Sequence, residues 1–252
     1  MKFSYIICYR HNEERLSNLK KVLDWLNNFN DIEVVIVEQD KEELLNLDIE
    51  KYSFSFKKIF TKSELPFERS WAFNVGLLNS TSDVVVFGDS DLIMDNNEFL
   101  ESIDKISEFD CVSPYRSVLD LDPQESLYGI TEWKRIKRPG RGETDNQKIN
   151  LTGGIVIYKR DSIMKIGGWD ENFIGWGGED DWQTRKTLIF LKSLEMPFRC
   201  YHLYHRRVNP DRMFYGRTLT ILNKLFSLTP EQIVEYLSRV GGNIGKINKY
   251  EQ

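Results

Sequence analysis

The chain opens with short apolar runs that are separated by polar segments. Runs of about four to eight residues, rich in β-branched and aromatic side chains, are typical of buried strands. We predict such strands at Phe3–Tyr9, Ile32–Val37, Phe54–Phe60 and Asp83–Gly88. Between them lie segments in which apolar residues recur at helical spacing. This alternation predicts an α/β fold, with a mostly parallel sheet flanked by helices.

Three helices are predicted between these strands. Asn12 caps the first, and Leu16, Leu19, Val22, Leu23 and Leu26 form its apolar face. The second is short and begins at Asp40 or Glu42, and the third covers Phe67–Leu78.

The rest of the chain continues the pattern less regularly. Its predicted strands are Asp110–Pro114, Leu151–Tyr158 and Pro197–Leu203. Its predicted helices are Glu98–Phe109, Arg160–Ile166, Glu179 to about Leu194, and a C-terminal helix that Thr229 caps and that ends near Gly241. The last residues are polar, and we expect them to be frayed.

One long segment, Tyr115–Asn150, shows no regular pattern. Segments of this length are usually functional or mobile. Basic residues concentrate at Trp133–Gly142, where they could contact phosphates or be solvated. We favour solvation, because long loops are usually exposed.

Composition narrows the functional classes. The 252 residues carry a net charge of −5, so broad affinity for nucleic acid is not expected. No apolar run approaches the roughly 18 residues of a membrane span, and the N-terminal run is short for a signal peptide. The three cysteines, Cys8, Cys111 and Cys200, lie beside apolar residues. We expect them to be reduced and buried, which indicates a cytoplasmic protein, with the inner face of the membrane as a possible site.

Polar residues follow three of the predicted strands. Ligands bind parallel α/β sheets beyond the carboxyl ends of the strands. Arg10, Gln39, Asp40 and Asp89 occupy such ends, so we expect them to surround one crevice.

Asp89-Ser90-Asp91 follows the fourth strand directly. In extended chain, residues two apart point the same way, so both carboxylates can face one ligand. Oxygen ligands suit Mg²⁺ or Mn²⁺. A polar turn that closes the strand explains the same residues equally well.

His202 and His205 lie at the end of the last predicted strand. A lone histidine is more often structural than a ligand. Two within four residues, in a chain that also contains Asp89-Ser90-Asp91, make a metal-binding role as good an interpretation as a structural one.

The stretch Gly167–Trp182 is rich in glycine, tryptophan and acidic residues. Glu179, Asp180 and Asp181 begin a predicted helix, where acids are favoured by the helix dipole. Trp176, Gly177 and Gly178 come directly before them. A flat aromatic face beside carboxylates suits a sugar ring, which has an apolar face and a hydroxyl rim.

Taken in order, these motifs resemble those of GT-A-fold glycosyltransferases. The resemblance is to the β-1,4-galactosyltransferases and the bacterial chondroitin-polymerase-type transferases, and it extends from Phe3 to about Phe214. Four stretches show the resemblance most clearly. Phe67–Gly76 is similar to a Phe-x-Arg-x-x-x-x-Asn-Val-Gly segment that touches the nucleotide, and Val86–Met94 is similar to a metal-binding stretch. Gly153–Asp181 is similar to an acceptor and catalytic region, and His202–His205 is similar to the place that completes the metal site. Asn209–Arg212 is similar to the Asn-Pro-x-Arg that follows.

The resemblance implies a domain organisation. Residues 1–215 would form a GT-A domain, with a nucleotide-sugar half at about 1–95 and an acceptor half at about 96–215. Residues 216–252 would form a C-terminal helical extension.

The resemblance also implies an activity: metal-dependent, inverting transfer of a sugar from a nucleotide-sugar, in particular a UDP-sugar, to a saccharide hydroxyl. We expect this activity in the synthesis of a surface polysaccharide or other glycan, with Mn²⁺ or Mg²⁺ as cofactor. Asp91 would bind the metal, together with His202 or His205 or both. Asp180 would be the general base, and Glu179 would hold acceptor hydroxyls.

The remaining roles follow from the same resemblance. Arg10 and Arg69 would contact the diphosphate or the base, Asp89 the ribose or the metal's water shell, Gln39 and Asp40 the uracil side, and Asn74 the donor. Trp176 would stack on the acceptor sugar, beside Gly177, Gly178 and Asp181.

Two other functions share some of these features. A nucleotidyltransferase can have the same sheet and metal-binding acids, but it normally carries a glycine-rich, basic N-terminal phosphate loop, which Tyr9–Glu14 is not. A non-catalytic carbohydrate-binding relative would be expected to lose a metal ligand or the base, and both are present.

Overall fold

The computed structural model describes residues 1–144, 149–206 and 212–250. Within these ranges, ten strands form two sheets. The strands are β1 Phe3–Tyr9, β2 Ile32–Asp40, β3 Ser55–Lys62, β4 Val84–Gly88, β5 Leu92–Met94, β6 Cys111–Ser113, β7 Ser117–Asp120, β8 Val156–Lys159, β9 Ser193–Glu195 and β10 Arg199–His202. The α-helices are α1 Glu13–Leu26, α2 Arg69–Asn79, α3 Asn96–Asp104, α4 Ile130–Trp133, α5 Arg160–Lys165, α6 Glu179–Phe190, α7 Arg212–Phe226 and α8 Pro230–Val240.

The larger sheet has the strand order β3-β2-β1-β4-β8-β6-β9. Its first four strands are parallel neighbours, and β8 runs antiparallel to both β4 and β6. Apolar clusters cover both faces: Tyr5, Trp25 and Phe99 belong to one, and Trp71 and Phe87 to the other. The predicted fold, a mostly parallel sheet flanked by helices, is confirmed.

The smaller sheet has the order β5-β10-β7. β10 pairs antiparallel to β5 and parallel to β7. Because β5 follows β4 after only three residues, this sheet lies at the carboxyl edge of the larger one. The sequence analysis did not predict β5, β7 or β9, each of which has only three or four residues.

Helix starts follow side-chain caps. The Asn12 side chain accepts hydrogen bonds from the backbone N–H groups of Glu14 and Arg15, as predicted for α1. Thr229 and Gln232 form the predicted capping box of α8. α3 begins earlier than predicted because Asp95 caps it.

The strand predicted at Leu151–Tyr158 begins only at Val156, and three further predictions of local structure are wrong. No helix begins at Asp40 or Glu42: the buried carboxylate of Glu38 accepts hydrogen bonds from the N–H groups of Leu44 and Leu45, which holds this segment in a loop. The helix from Glu179 ends at Phe190 because Ser193–Glu195 pairs with β6 instead.

The third correction concerns the C-terminal residues, which are not frayed as far as Tyr250, where the described residues end. The backbone carbonyl of Lys246 accepts a hydrogen bond from the indole N–H of Trp71 at 2.7 Å. Lys249 and Tyr250 both bind the buried carboxylate of Glu68. The end of the described chain is therefore packed against the start of α2.

Helices α7 and α8 pack on α6 through a third apolar cluster that contains Phe173, Trp182, Leu225 and Ile233. All three cysteines are buried and unpaired, as expected. Among the described residues, no helix is both long enough and apolar enough to cross a bilayer.

Candidate functional site

Three side chains able to bind a metal meet where β4 ends. Asp91 lies between β4 and β5, and His202 is the last residue of β10. Leu92 of β5 is paired with His202, so the sheet register makes Asp91 and His202 neighbours. Ligand atoms of Asp91, His202 and His205 all lie within 4.8 Å of one another. One carboxylate and two imidazoles are a suitable donor set for a divalent cation.

The charges around Asp91 favour its ionised form, which is the form that can bind a cation. Burial acts to raise the pKa of Asp91, but the hydrogen bond from His205 and the charges of His202, His205 and Arg15 lower it below its usual value. The hydrogen bond with Asp91 raises the pKa of His205. His205 Nδ1 lies 3.0 Å from the carbonyl oxygen of Arg206, to which it can only donate, so Nε2 is the nitrogen that faces Asp91.

Arg69, the first residue of α2, links the end of β4 to the start of α6. Its Nε donates to Asp89 Oδ1 at 2.9 Å, and its Nη1 donates to Asp180 Oδ1. The same Nη1 lies 3.9 Å from Glu179 Oε1. The guanidinium carbon also lies 4.6 Å from the centre of the Phe73 ring, a cation–π contact. One buried nitrogen, Nη2, has no hydrogen-bond partner within the described residues.

The two acids that begin α6, Glu179 and Asp180, both have raised pKa values. Burial, followed by the charge of Asp180, raises the pKa of Glu179 to about 7. Burial also raises the pKa of Asp180, although Arg69 opposes this effect. Carboxyl groups with raised pKa values in a cleft are candidates for acid–base chemistry.

The third acid of α6 faces elsewhere. Asp181 Oδ1 accepts a hydrogen bond from Asn150 Nδ2 at 3.2 Å, and Asp181 does not contact Arg69. Gly178 precedes the helix with φ of +86°, a left-handed conformation that favours glycine. This turn directs Glu179 and Asp180 toward Arg69.

Trp176 is the most exposed tryptophan of the site, with 65% of its surface accessible. Its ring lies 5.7 Å from that of Tyr215 in α7, at an interplanar angle of 31°. Gly177 lies under the Tyr215 ring, where a Cβ would approach to 3.1 Å. Trp176 and Tyr215 thus form one aromatic surface beside the acids.

The predicted donor residues fall into two groups. Arg10 Nε lies 3.7 Å from Asp40 Oδ1, so the ends of β1 and β2 are joined at the crevice. Buried Gln39 accepts a hydrogen bond from the backbone N–H of Glu68, next to Arg69, and its Nε2 has no partner within the described residues.

Asn74 differs from the other donor candidates. It is fully buried, and its amide bonds both the backbone N–H and the carbonyl of Trp169, and also Glu171. These contacts hold the loop before α6 rather than line the crevice.

Sequence reasoning missed Arg15, Asp120 and Tyr215, which lie at or beside this site. Arg15 is in the first turn of α1, and no motif distinguishes it from an ordinary surface arginine. Asp120 lies in β7, which was not predicted. Tyr215 follows the Asn209–Arg212 motif, of which only Arg212 lies within the described residues.

Two family profiles match the chain. The one described as glycosyl transferase family 2 matches residues 4–167. The one described as the N-terminal domain of galactosyltransferase matches residues 144–206, which include Trp176, the acids of α6 and both histidines. No curated protein sequence matches the chain.

Several solved structures share the fold. A Drosophila β-1,4-galactosyltransferase 7 mutant in complex with manganese, UDP-Gal and xylobiose has a TM-score of 0.53 at 15% identity, covering 82% of this chain and 72% of that one. S. aureus TarS residues 1–349 have a TM-score of 0.57 at 15% identity, with coverages of 95% and 70%.

GalNAc-T7 with UDP, GalNAc and Mn²⁺ has a TM-score of 0.60 at 15% identity. The match covers 94% of this chain but 49% of that one. At these identities the likeness establishes the GT-A fold alone.

Proposed function

The chain belongs to glycosyl transferase family 2 and is a glycosyltransferase. We propose that it moves a sugar from a UDP-sugar to a hydroxyl of a saccharide. In this proposal Mn²⁺ is bound and the configuration at the anomeric carbon is inverted. One observation carries the proposal. The Asp91–His202–His205 cluster and the Arg69–Asp180–Glu179 cluster lie at the same edge of the sheet, joined through Asp89, only two residues from Asp91. The UDP-sugars and manganese in the structural relatives support this choice.

Asp91, His202 and His205 would hold the cation. The carboxylate suits both Mg²⁺ and Mn²⁺, but the two imidazoles suit transition ions, so we propose Mn²⁺. A divalent ion there supplies charge that neutralises the departing diphosphate.

Arginines would bind the donor from three elements. Arg69 has a buried Nη2 without a hydrogen-bond partner in the described residues, and guanidinium groups bind phosphate oxygens in pairs. Arg10 approaches from the end of β1, and Arg15 from α1, where its side chain makes no ion pair with a described residue. We propose that these three contact the diphosphate, with Asp89 at the ribose.

Gln39 and Asp40, at the end of β2, would contact the uracil. The free Nε2 of Gln39 can donate to a base carbonyl. Asn74 would serve the donor only indirectly, through the loop that it holds.

Asp180 would act as the general base. Arg69 occupies its Oδ1, and Oδ2 has no hydrogen-bond partner within the described residues. The acceptor hydroxyl would give its proton to Asp180 while its oxygen bonds to the anomeric carbon, and the bond from that carbon to the diphosphate would break. Attack from the face opposite the leaving group inverts the configuration.

The acceptor would lie between the aromatic surface and the acids. Trp176 and Tyr215 offer their faces to a sugar ring, and the unpaired Oε2 of Glu179 can accept from a hydroxyl. Gly177, Gly178 and Asp181 would shape this subsite. Such a site suits a saccharide acceptor of the kind found in polysaccharide synthesis.

A transfer assay tests the proposal. UDP release is measured with a panel of UDP-sugars and oligosaccharide acceptors, with Mn²⁺ or after exhaustive EDTA treatment, and product configuration is read by NMR. We expect Mn²⁺-dependent transfer with inversion. Full activity after EDTA treatment would contradict the metal dependence. Retention of configuration would contradict the inverting mechanism.

A further inference from the structure

The segment Ser117–Thr144 matches no motif of the sequence analysis, yet it lies directly behind the metal cluster. β7 pairs with β10 so that Asp120 lies opposite His202. His202 Nδ1 lies 2.8 Å from Asp120 Oδ1. This contact is on the side of the ring away from Nε2, which lies 3.7 Å from Asp91.

The Asp120 carboxylate determines which nitrogen of His202 carries a proton. Both of its oxygens accept hydrogen bonds from Arg141, Oδ2 from Nε and Oδ1 from Nη2, as an ionised carboxylate does. An ionised carboxylate can only accept, so His202 Nδ1 must donate. The lone pair of the neutral ring is then on Nε2, which faces Asp91.

Asp120 is in turn held by Arg141. Arg141 Nε donates to Asp120 Oδ2 at 2.9 Å, and Nη2 donates to Oδ1 at 3.0 Å. A bidentate arginine fixes the plane of a carboxylate as well as its position. Three residues from three separate segments therefore form one chain of contacts, Arg141 to Asp120 to His202.

The sequence Pro139-Gly140-Arg141-Gly142 makes this approach possible. The backbone of Arg141 exchanges two hydrogen bonds with that of Val118, at 2.8 and 2.9 Å. A Cβ at Gly140 would lie 2.5 Å from the Val118 carbonyl oxygen, and one at Gly142 would lie 2.2 Å from that of Arg116. The glycines on both sides let Arg141 lie beside β7, within reach of Asp120.

This arrangement corrects our interpretation of the basic segment. Arg141 and Arg138 are not simply solvated: Arg141 binds Asp120, and Arg138 binds Glu125 and the carbonyl of Asp120. A cavity of about 630 Å³ lined by Asp120, Arg138 and both histidines opens beside them. The segment thus serves the site through its ion pairs.

We propose that Asp120 and Arg141 are positioning residues of the metal site, Arg141 fixing Asp120 and Asp120 fixing the His202 ring with Nε2 turned to the ion. The inference rests on the proposed metal-dependent function and extends it to residues outside the family motifs. Partners of ligating histidines typically change metal affinity by about 10–100-fold when they are lost. The effect belongs to metal binding itself, so it exists without donor or acceptor.

Mn²⁺ titrations followed by electron paramagnetic resonance test this without any substrate. We expect Asp120→Ala to raise the Mn²⁺ dissociation constant by about 10–100-fold. Asp120→Asn keeps an oxygen that accepts from Nδ1–H, so its effect should be smaller. The rise in the Mn²⁺ dissociation constant for Arg141→Met should lie between the rises for Asp120→Asn and Asp120→Ala.

Asp122→Asn is the matched control. It removes the same charge beside the same cavity, but Asp122 bonds the Glu125 N–H and no histidine. Its Mn²⁺ dissociation constant should stay within about two-fold of the parent value. Circular dichroism and melting temperature show that each variant is folded, and Asp120→Asn carries the test if Asp120→Ala is not.

A spectroscopic readout separates positioning from general stability. At saturating Mn²⁺, the electron spin-echo modulation from histidine nitrogen should weaken in both Asp120→Ala and His202→Ala. The proposal is overturned, and the metal site stands, if the folded Asp120 and Arg141 variants keep the parent's Mn²⁺ affinity and nitrogen modulation while His202→Ala loses them. If His202→Ala and His205→Ala also bind as the parent does, the metal site itself is wrong, and the metal-dependent function falls with it.

Discussion

At the scale of single residues, Arg69 connects the two halves of the candidate site. Its guanidinium binds Asp89 on one side and Asp180 on the other, and lies near Glu179. Burial raises the pKa values of Asp89 and Asp180 above their usual range, and the charge of the arginine opposes this effect. Each acid can therefore be tested by a substitution that keeps its shape.

We expect Asp180→Asn to reduce kcat for transfer by about 10²–10⁴-fold, because the amide cannot accept the acceptor's proton. Donor and metal affinity should change by only a few-fold. Asp181→Asn is the matched control, since Asp181 contacts Asn150 rather than Arg69. If Asp181→Asn is inactive and Asp180→Asn is active, the base has been assigned to the wrong acid.

Glu179 allows a prediction about pH and stability. Its folded pKa of about 7 lies above the usual value of 4.5, so the folded state binds this proton more tightly than the unfolded state does. Stability from this group is present at low pH and is lost as pH rises toward 7. Glu179→Gln should therefore raise the melting temperature, relative to the parent, more at pH 8 than at pH 5. If Glu179→Gln changes the melting temperature equally at both pH values, or more at pH 5, burial does not raise the pKa of Glu179.

At the scale of elements, the loop before α6 depends on α2. Asn74 satisfies both backbone polar groups of Trp169, and no other described side chain bonds either group. We expect Asn74→Ala to cost about 1–3 kcal/mol for each group left unpaired, and so to lower the melting temperature by at least about 4 °C.

Asn79→Ala, on the same helix, is the control for this prediction, because the side chain of Asn79 bonds only a carbonyl of its own helix. It should change the melting temperature by about 1 °C or less. If Asn74→Ala melts like the parent protein but loses UDP binding, Asn74 serves the donor directly and the structural account of this residue fails.

The extent to which elements could be predicted follows from their length and burial. The strands β1, β2 and β4 each contain a run of three or more consecutive apolar residues, so they were visible in the sequence. The short strands β5 and β7 depend on pairing with β10, which is remote in the chain. The aspartates and histidines of the metal cluster were recognisable as motifs, whereas Asp120 was not, because only the register of the small sheet brings it to His202.

At the scale of the whole molecule, the described C-terminal segment packs against the start of α2. Lys249 Nζ lies 3.2 Å from Glu68 Oε2 and 3.3 Å from Glu171 Oε2. Glu68 is 1% exposed and comes directly before Arg69. Burial raises the pKa of Glu68, and Lys249 opposes this by lowering it.

We expect Lys249→Met to destabilise the protein by about 1–3 kcal/mol, a value reduced from that of fully buried pairs because Lys249 is partly exposed. Without Lys249 the folded pKa of Glu68 rises further, so the loss should be larger at pH 8 than at pH 5. Lys246→Met is the control, because only the backbone of Lys246 makes the contact with Trp71. Equal melting temperatures for the two variants would contradict the role of this segment.

The central claim is that Asp91 and the two histidines bind a divalent ion that the UDP-sugar donor needs. Isothermal titration of UDP and UDP-sugars, with Mn²⁺ or with EDTA, measures this most directly in the parent protein, in Asp91→Ala and in Asp161→Ala, an exposed control. We predict tight binding with Mn²⁺ in the parent and the control, and a loss of at least about ten-fold in EDTA or in Asp91→Ala. Equal donor affinity with Mn²⁺ and with EDTA, or in Asp91→Ala and the parent, would contradict the account.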